Sequence, residues 1–330
     1  MYILKETPED FIVVEIAKNL EIKDCGDYCY FTIEKRNRNT ADVVKEIAGK
    51  LGIRERNFNV AGVKDKKAVT IQHVSGFNVK RERLERLKIA GVKIKFAGYG
   101  DERIRLGQIK ENKFRIVVRG LEEPFSFGKR KPVEFIENYY DEQRFSGRNA
   151  LLGRALVKKE FRRFCFMLRL KWKEGDYINA IRTVQKKRLV FYINAYQSLL
   201  WNRAVAEHLK RNLREYFKVD YSEGEMIFSE EKLENKKISV IGYNSCAEGE
   251  LKEIYDVILK EEKIKKDDFI IKEIPELISE GAERDLYCGV KDFKFRYGKD
   301  EKHKGKLKAE IGFSLGPGAY ATIVVKKMFS

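Results

Sequence analysis

No apolar run in this chain approaches the roughly 18 residues a membrane-crossing helix needs, and no basic-then-apolar leader opens it. Neither export nor insertion is expected, and the predicted setting is soluble and cytoplasmic. Cysteine is scarce and odd in number. Cys25, Cys29, Cys165, Cys246 and Cys288 are scattered, and only the first two are near neighbours, with no second pair to complete a zinc site. They read as reduced thiols, with no metal. The stretch "GPGAYA", residues 316–321, fits G-x-G-x-x-A, yet no βαβ unit of about 30 residues follows it. It reads as a tight turn entering the last strand. No glycine-rich loop for S-adenosylmethionine follows a strand, so a methyltransferase is not indicated. Internal repeats and low-complexity segments are also missing.

Acidic charge is in deficit. Against 51 Asp and Glu stand 68 Lys and Arg, a net charge of +17. Lys/Glu-rich compositions also occur in heat-adapted proteins, but ion-pair networks there balance, and this one does not. The excess points to a polyanion, with nucleic acid as the leading partner class. At 330 residues the chain predicts two compact units, or one domain with a large insertion.

The first part reads as mixed α and β. After the turn Thr7–Asp10 come "FIVVEI" (11–16) and "YCYFTIEK" (28–35), read as a strand pair. With Thr40 as N-cap, "ADVVKEIAGKLG" puts Val43, Val44, Ile47 and Leu51 on one helical face and stops at Gly52. Further strands are expected at 58–62, 74–79, 92–99 and 113–120, with a charged helix at 81–88. From about residue 150 long helical patterns take over: "GRALVKKEFRRFCFMLRL", "RLVFYINAYQSLLWNRAVAEHLKRNL" and 250–266. The tail returns to strand character at 291–297, 306–315 and "YATIVVKKMF" (320–329), around an exposed basic turn at 299–306.

One carboxylate, Asp65, sits inside Lys-Asp-Lys-Lys after the apolar run ending at Gly62. Many solvated loops look like this. A reactive aspartate would instead need a closed pocket and a nearby cation to keep it ionised, with Lys64, Lys66, Lys67 and Lys5 as candidates. The residues alone leave both open.

"AGVKDKKAVTIQ" (61–72) closely resembles the signature of the TruD family of tRNA pseudouridine synthases, of archaeal type. Further blocks follow in that family's order: "LKETPEDFIVVE" (4–15), "KRNRNTADVVKEIA" (35–48), "RLGQIKENKFRIVVR" (105–119), "NYYDEQRF" (138–145), "NALLGRALVKKEF" (149–161), "AYQSLLWNRAVAEHL" (195–209) and "FSLGPGAYATIVVKKM" (313–328). The resemblance runs end to end. It implies that Asp65 is the catalytic aspartate, that Lys5 pairs with it, and that Asn138 and Tyr140 belong to the wall holding the target uracil. Gln72 is implied as support, and Asn112, Phe114, Gln143, Arg144 and Phe145 as RNA-facing or supporting. Asp141 and Ser146 stand where the family usually carries glycine, so the local turn either avoids positive φ or accepts strain.

The implied fold is α+β: a mixed, largely antiparallel sheet with flanking helices, the pseudouridine synthase catalytic fold, over 1–154 and 281–330, with a mainly helical insertion over 155–280. The implied activity is isomerisation of uridine to pseudouridine in tRNA, at U13, with other RNAs as further substrates. No cofactor or metal is needed, because the reaction breaks one bond, turns the base and makes another. A monomer is expected. Asp65 has three available roles: adding to the sugar, adding to the base, or taking the 2′ proton.

Other residues read more plainly. Lys5 taken alone is a surface lysine, and His73 is given no role. Tyr196, Leu199, Leu200 and Trp201 have the spacing of a packed helix face, with Gln197 and Asn202 as structural anchors. The basic stretches "KKEFRRF" and "LKRNLREYFK" read as solvated faces or as phosphate contacts. A basic RNA-binding chaperone without catalysis is the alternative from another class, and Asp65 together with Lys5 and Asn138 argues against it.

Overall fold

The computed structural model describes residues 2–122 and 132–329. Among them the strands are β1 (Ile3–Leu4), β2 (Phe11–Ala17), β3 (Tyr28–Arg36), β4 (Phe58–Val60), β5 (Val69–Phe77), β6 (Val92–Gly100), β7 (Ile109–Leu121), β8 (Phe135–Glu137), β9 (Phe217–Tyr221), β10 (Gly224–Phe228), β11 (Lys237–Val240), β12 (Ala282–Asp285), β13 (Tyr287–Lys299) and β14 (Leu307–Leu315). The helices are α1 (Thr40–Leu51), α2 (Arg81–Glu85), α3 (Glu142–Phe145), α4 (Asn149–Val157), α5 (Phe161–Leu168), α6 (Tyr177–Arg182), α7 (Lys186–Asn212), α8 (Gly249–Glu262) and α9 (Ala321–Phe329). The chain divides into two compact units, one running to Phe135 and again over Gly289–Ala321, the other over Ile136–Cys288 and Thr322–Met328. The fold is α+β.

The first unit is built on a mainly antiparallel sheet in the order β6-β3-β5-β2-β7-β14-β13. The expected pairing of 11–16 with 28–35 does not occur. β5 lies between them, parallel to β2 and antiparallel to β3. The segment 18–27 offers no two-residue hairpin turn, so nothing forces those strands to be neighbours. β4, expected as the lead-in to Asp65, adds to β5. Behind one end of the sheet α1 buries Val43, Val44, Ile47 and Leu51 against Phe31, Ile33 and Val74. It ends, as its pattern predicts, on Gly52 at φ 67°. Asn39, not Thr40, is the N-cap. Thr40 is the first helical residue and its hydroxyl is used elsewhere.

The exposed basic turn at 299–306 has a buried core. Asp300 is 6% exposed and accepts from Arg119, which also binds Asp10. The expected last strand, 320–329, is a helix, α9. Its Val and Ile content favours strands, but Ala321, Val324, Val325 and Met328 recur at helical spacing and are all buried. "GPGAYA" is therefore a turn into a helix.

The second unit carries α3–α8, yet it also contains the hairpin β9–β10, with Tyr221 paired to Gly224, and the pair β11–β12. The long pattern 153–170 is two helices, broken where Lys159 takes φ 57°. α4 packs on α7 through Gly153, where an added Cβ would lie 2.0 Å from the Tyr192 carbonyl oxygen. Gly153→Ala is expected to destabilise the protein by about 1–3 kcal/mol through overpacking. Chemical denaturation would detect this as an earlier midpoint with unchanged slope. Burial pushes the Cys29 thiol up to about 12. Among the described residues no helix is long and apolar enough to cross a membrane, and no group of three or more His, Cys, Asp or Glu is placed to hold a metal.

Candidate active site

Strand register puts the first cluster on one face of the sheet. Val13 pairs with Phe114 and Glu15 with Asn112 on β7. On the other side of β2, Thr70 lies beside Val13. Thr70 in turn pairs with Lys35, and Gln72 with Ile33. Side chains alternate along a strand, so Lys35, Gln72, Glu15, Asn112 and Phe114 point the same way. Most of these are polar groups on a buried face, and each needs a partner.

The loop after β4 supplies those partners. Gln72 is fully buried, donates to the Gly62 carbonyl at 3.2 Å and accepts from Thr40 Oγ1 at 2.8 Å. Lys64 reaches down to Glu15 at 2.9 Å and donates to Asn112 Oδ1 at 2.5 Å. Burial pushes the Glu15 carboxyl up, but His73 and Lys64 outweigh it and leave it below its ordinary value. Lys35, with no exposed surface, donates to the backbone oxygen of Asp65 at 2.8 Å. Burial pulls Lys35 down to about 8, with the charge of Asp65 opposing.

Asp65 stands on this support. Lys5 Nζ donates to its Oδ2 at 2.6 Å, and the two side chains keep 23% and 19% of their surface. The same ammonium lies 4.0 Å from the centre of the Phe11 ring. Phe11 meets Phe114 edge-on at 6.2 Å, and Phe114 stacks on Phe313 at 5.4 Å. Lys5 itself holds φ 54°, a left-handed conformation that costs a non-glycine residue about 1–3 kcal/mol. The arrangement presents an accessible carboxylate, ion-paired and locked through its own backbone, beside an aromatic wall. Asn112 is a brace for Lys64, and Phe114 is part of that wall.

The second unit holds the other expected residues. Arg284 donates to the Asn138 carbonyl at 2.8 Å and to Asn138 Oδ1 at 2.7 Å. Its guanidinium lies 4.1 Å from the centre of the Tyr140 ring. Asn202 clasps Tyr140 by the backbone, accepting from its N–H at 3.0 Å and donating to its carbonyl at 2.8 Å. Trp201 meets the ring edge-on at 5.6 Å. Arg144 sits 5.4 Å from the same ring and donates to Ser198. Gln143 is exposed. Phe145, implied as RNA-facing or supporting, is 3% exposed and packs on Tyr221, a position from which it props the segment from inside. Asp141 and Ser146 take φ −112° and −51°, and the left-handed positions fall on Gly147 and Arg148. Asp141 is bound by Lys326 at 2.8 Å.

Lys35 and Arg284 are not singled out from sequence, and Thr40 is read only as an N-cap. Lys35 and Thr40 lie inside the matched block 35–48 but carry no local mark of their function. Arg284 stands in "AERDLYC", far along the chain from Asn138, and no spacing rule connects them.

Compared with known families, residues 2–168 and 165–328 match the family model described as tRNA pseudouridine synthase D (TruD). The chain belongs to the TruD family. Pseudouridine synthases are isomerases, and the family reaction is uridine to pseudouridine in tRNA. Among curated TruD proteins, tRNA pseudouridine synthase D of Aquifex aeolicus is 29% identical, over 99% of this chain and 97% of its own. "Probable tRNA pseudouridine synthase D 1" of Methanocaldococcus jannaschii is 28% identical, over 98% and 94%. A solved structure named for TruD, from Methanosarcina mazei, superposes with a TM-score of 0.73 at 23% identity, covering 98% of this chain and 92% of that one. That likeness bears on the fold.

Proposed function

We propose that this chain converts uridine 13 of tRNA to pseudouridine, with Asp65 as the catalytic carboxylate. The observation that carries the reading is the Lys5–Asp65 ion pair at 2.6 Å on a loop tied down by Lys35, Gln72 and Lys64. A carboxylate held beside a cation on a fixed loop is placed to act as a nucleophile or a base. In the reaction the N1–C1′ bond breaks, the uracil turns and C5 joins C1′. The C5 proton leaves and N1 gains one, so atoms balance without an oxidant or a second substrate. Asp65 enters by adding to C1′, by adding to C6, or by taking the 2′ proton.

The base must leave its stack before it can turn, and an aromatic face compensates by about 1–3 kcal/mol. Tyr140 supplies that face in this reading, and Asn138, with its side-chain oxygen bound by Arg284, orients the uracil edge. Arg144 and Gln143 contact RNA. The catalytic role is assigned to 1–154 with 281–330 and the insertion to 155–280. This division by role keeps Asn138, Tyr140 and Arg284 with the catalytic segments, although they fold in the second unit. We also take the chain to act as a cytoplasmic monomer without cofactor.

Carbodiimide modification and reverse transcription of unmodified tRNA would read the outcome. A single new stop one nucleotide 3′ of position 13 after incubation supports the reading, and a stop reporting another position, or none, overturns it. Tyr140→Phe is expected to stay within a few-fold of wild-type turnover, whereas Tyr140→Ala loses about ten-fold or more with the stacking surface. Equal losses in single-turnover assays would move the role from the ring to the hydroxyl.

A further inference from the structure

α5 has two aromatic faces, and only one has a core to enter. Phe164 is fully buried and meets Tyr192 edge-on at 6.1 Å. Phe166, two positions on, is 72% exposed. A single exposed apolar residue needs no explanation. This one lines an open groove of about 710 Å³ together with Phe161, Trp172 and Tyr177. Trp172 and Tyr177 lie 6.3 Å apart, so the groove carries a row of ring surfaces.

The charge around it is mainly basic. Residues 158–177 carry seven Lys and Arg against three carboxylates, Glu160, Glu174 and Asp176, and Glu174 accepts from the Tyr177 hydroxyl at 2.7 Å. Glu160 is taken by Arg163 at 2.8 Å, and Lys159 binds Asp268 at 3.0 Å. Among the described residues Arg162, Arg169, Lys171 and Lys173 have no carboxylate within ion-pair distance, and all four are exposed. One exposed ring, Phe166, and half-buried rings beside it, flanked by cations without a carboxylate partner, suit a strand whose bases stack while its phosphates are neutralised. A duplex keeps its base faces covered, so unpaired nucleotides fit better. A second copy of the chain would bring the same four cations against each other.

We propose that this face, from α5 to the start of α6, is a binding site for unpaired RNA. Bases stack on Phe166 and Trp172, and Arg162 and Lys171 contact phosphates. The proposal deepens the tRNA reading above, on which it rests for the choice of RNA.

The chain has two tryptophans, Trp172 in the groove and Trp201 fully buried against Tyr140, so the groove's share of the quenching is the part lost in Trp172→Phe. Short oligouridine is expected to quench tryptophan emission of the full chain, and inorganic polyphosphate is not. Phe166→Ala, at an exposed position, should weaken oligouridine binding at least about five-fold without changing the salt slope. Arg162→Ala with Lys171→Ala should lower that slope by about 1.4, near 0.7 for each lost single-strand contact. Unchanged affinity and slope in these variants, with wild type still modifying tRNA, would overturn the patch and leave the isomerase reading standing. Weakened oligouridine binding by the variants, with no modification by wild type, would support the patch and sink the other. If Phe166→Ala dissolves a dimer in sedimentation while RNA affinity holds, the groove is a self-association surface and the proposal fails.

Discussion

Asp65→Ala is expected to abolish pseudouridine formation, with turnover falling at least a thousand-fold, or ~4 kcal/mol of barrier. RNA affinity should change little, because phosphate contacts dominate such binding and a carboxylate makes none. The surrounding geometry makes the substitution clean. Lys35 binds the Asp65 backbone oxygen and Gln72 binds Gly62, so the loop keeps two of its ties when the side chain is gone. Lys5 loses its anion but retains the Phe11 ring. Asp65→Asn sharpens the test, since it keeps the shape and one acceptor while removing the charge. Single-turnover assays with saturating tRNA should find both variants inactive. Near-normal turnover in either would remove the carboxylate from the chemistry, and loss of binding in step with turnover would make Asp65 a structural residue.

The elements that were legible are those with a local cause. α1 follows from four apolar residues at helical spacing and a glycine stop, and the structure ends it on Gly52. Strand order was not legible, because alternation says which side chains point inward but not which strand lies alongside. Hence β5 separates two strands read as a pair. α9 was misread because β-branched residues favour strands in isolation, while burial of one helical face decides in context. At the candidate site, the family blocks pointed to Asp65 and Lys5, sixty residues apart, which no spacing rule would join. What holds them in place lies in buried polar groups from several strands. Lys35 looks like any basic residue in "EKRNRN", and only its depth and its bond to the Asp65 backbone reveal its work. Asn202 was read as a structural anchor and is one, with Tyr140 as what it anchors.

Lys5 holds a left-handed backbone conformation, so the chain around it must be fastened elsewhere, and the fastening is Arg119. This guanidinium is 5% exposed and binds Asp10 at 2.8 Å and Asp300 at 2.9 Å. Asp10 also accepts from the Thr7 N–H, closing the turn that follows Lys5. Arg119→Met is expected to destabilise the protein by about 3–5 kcal/mol near neutral pH, since it leaves two buried carboxylates without their cation. The loss comes from stranding the acids, so Arg119→Met combined with Asp10→Asn and Asp300→Asn should recover part of it. Acid provides a second check. Burial raises Asp10 and Asp300, but Arg119 and backbone N–H donors outweigh it, and both sit below their ordinary values. Groups depressed in the folded state contribute stability above their unfolded value, near 3.9, and lose it as pH falls toward the folded value. Wild type should therefore weaken below about pH 4, while the variant, whose stranded acids favour protonation, should gain from the same protons. The stability gap between them should narrow on acidification. A gap that stays constant from pH 7 to pH 4 in denaturant titrations would show that Arg119 acts through packing alone, and that the Lys5 turn is held by something other than this ion cluster.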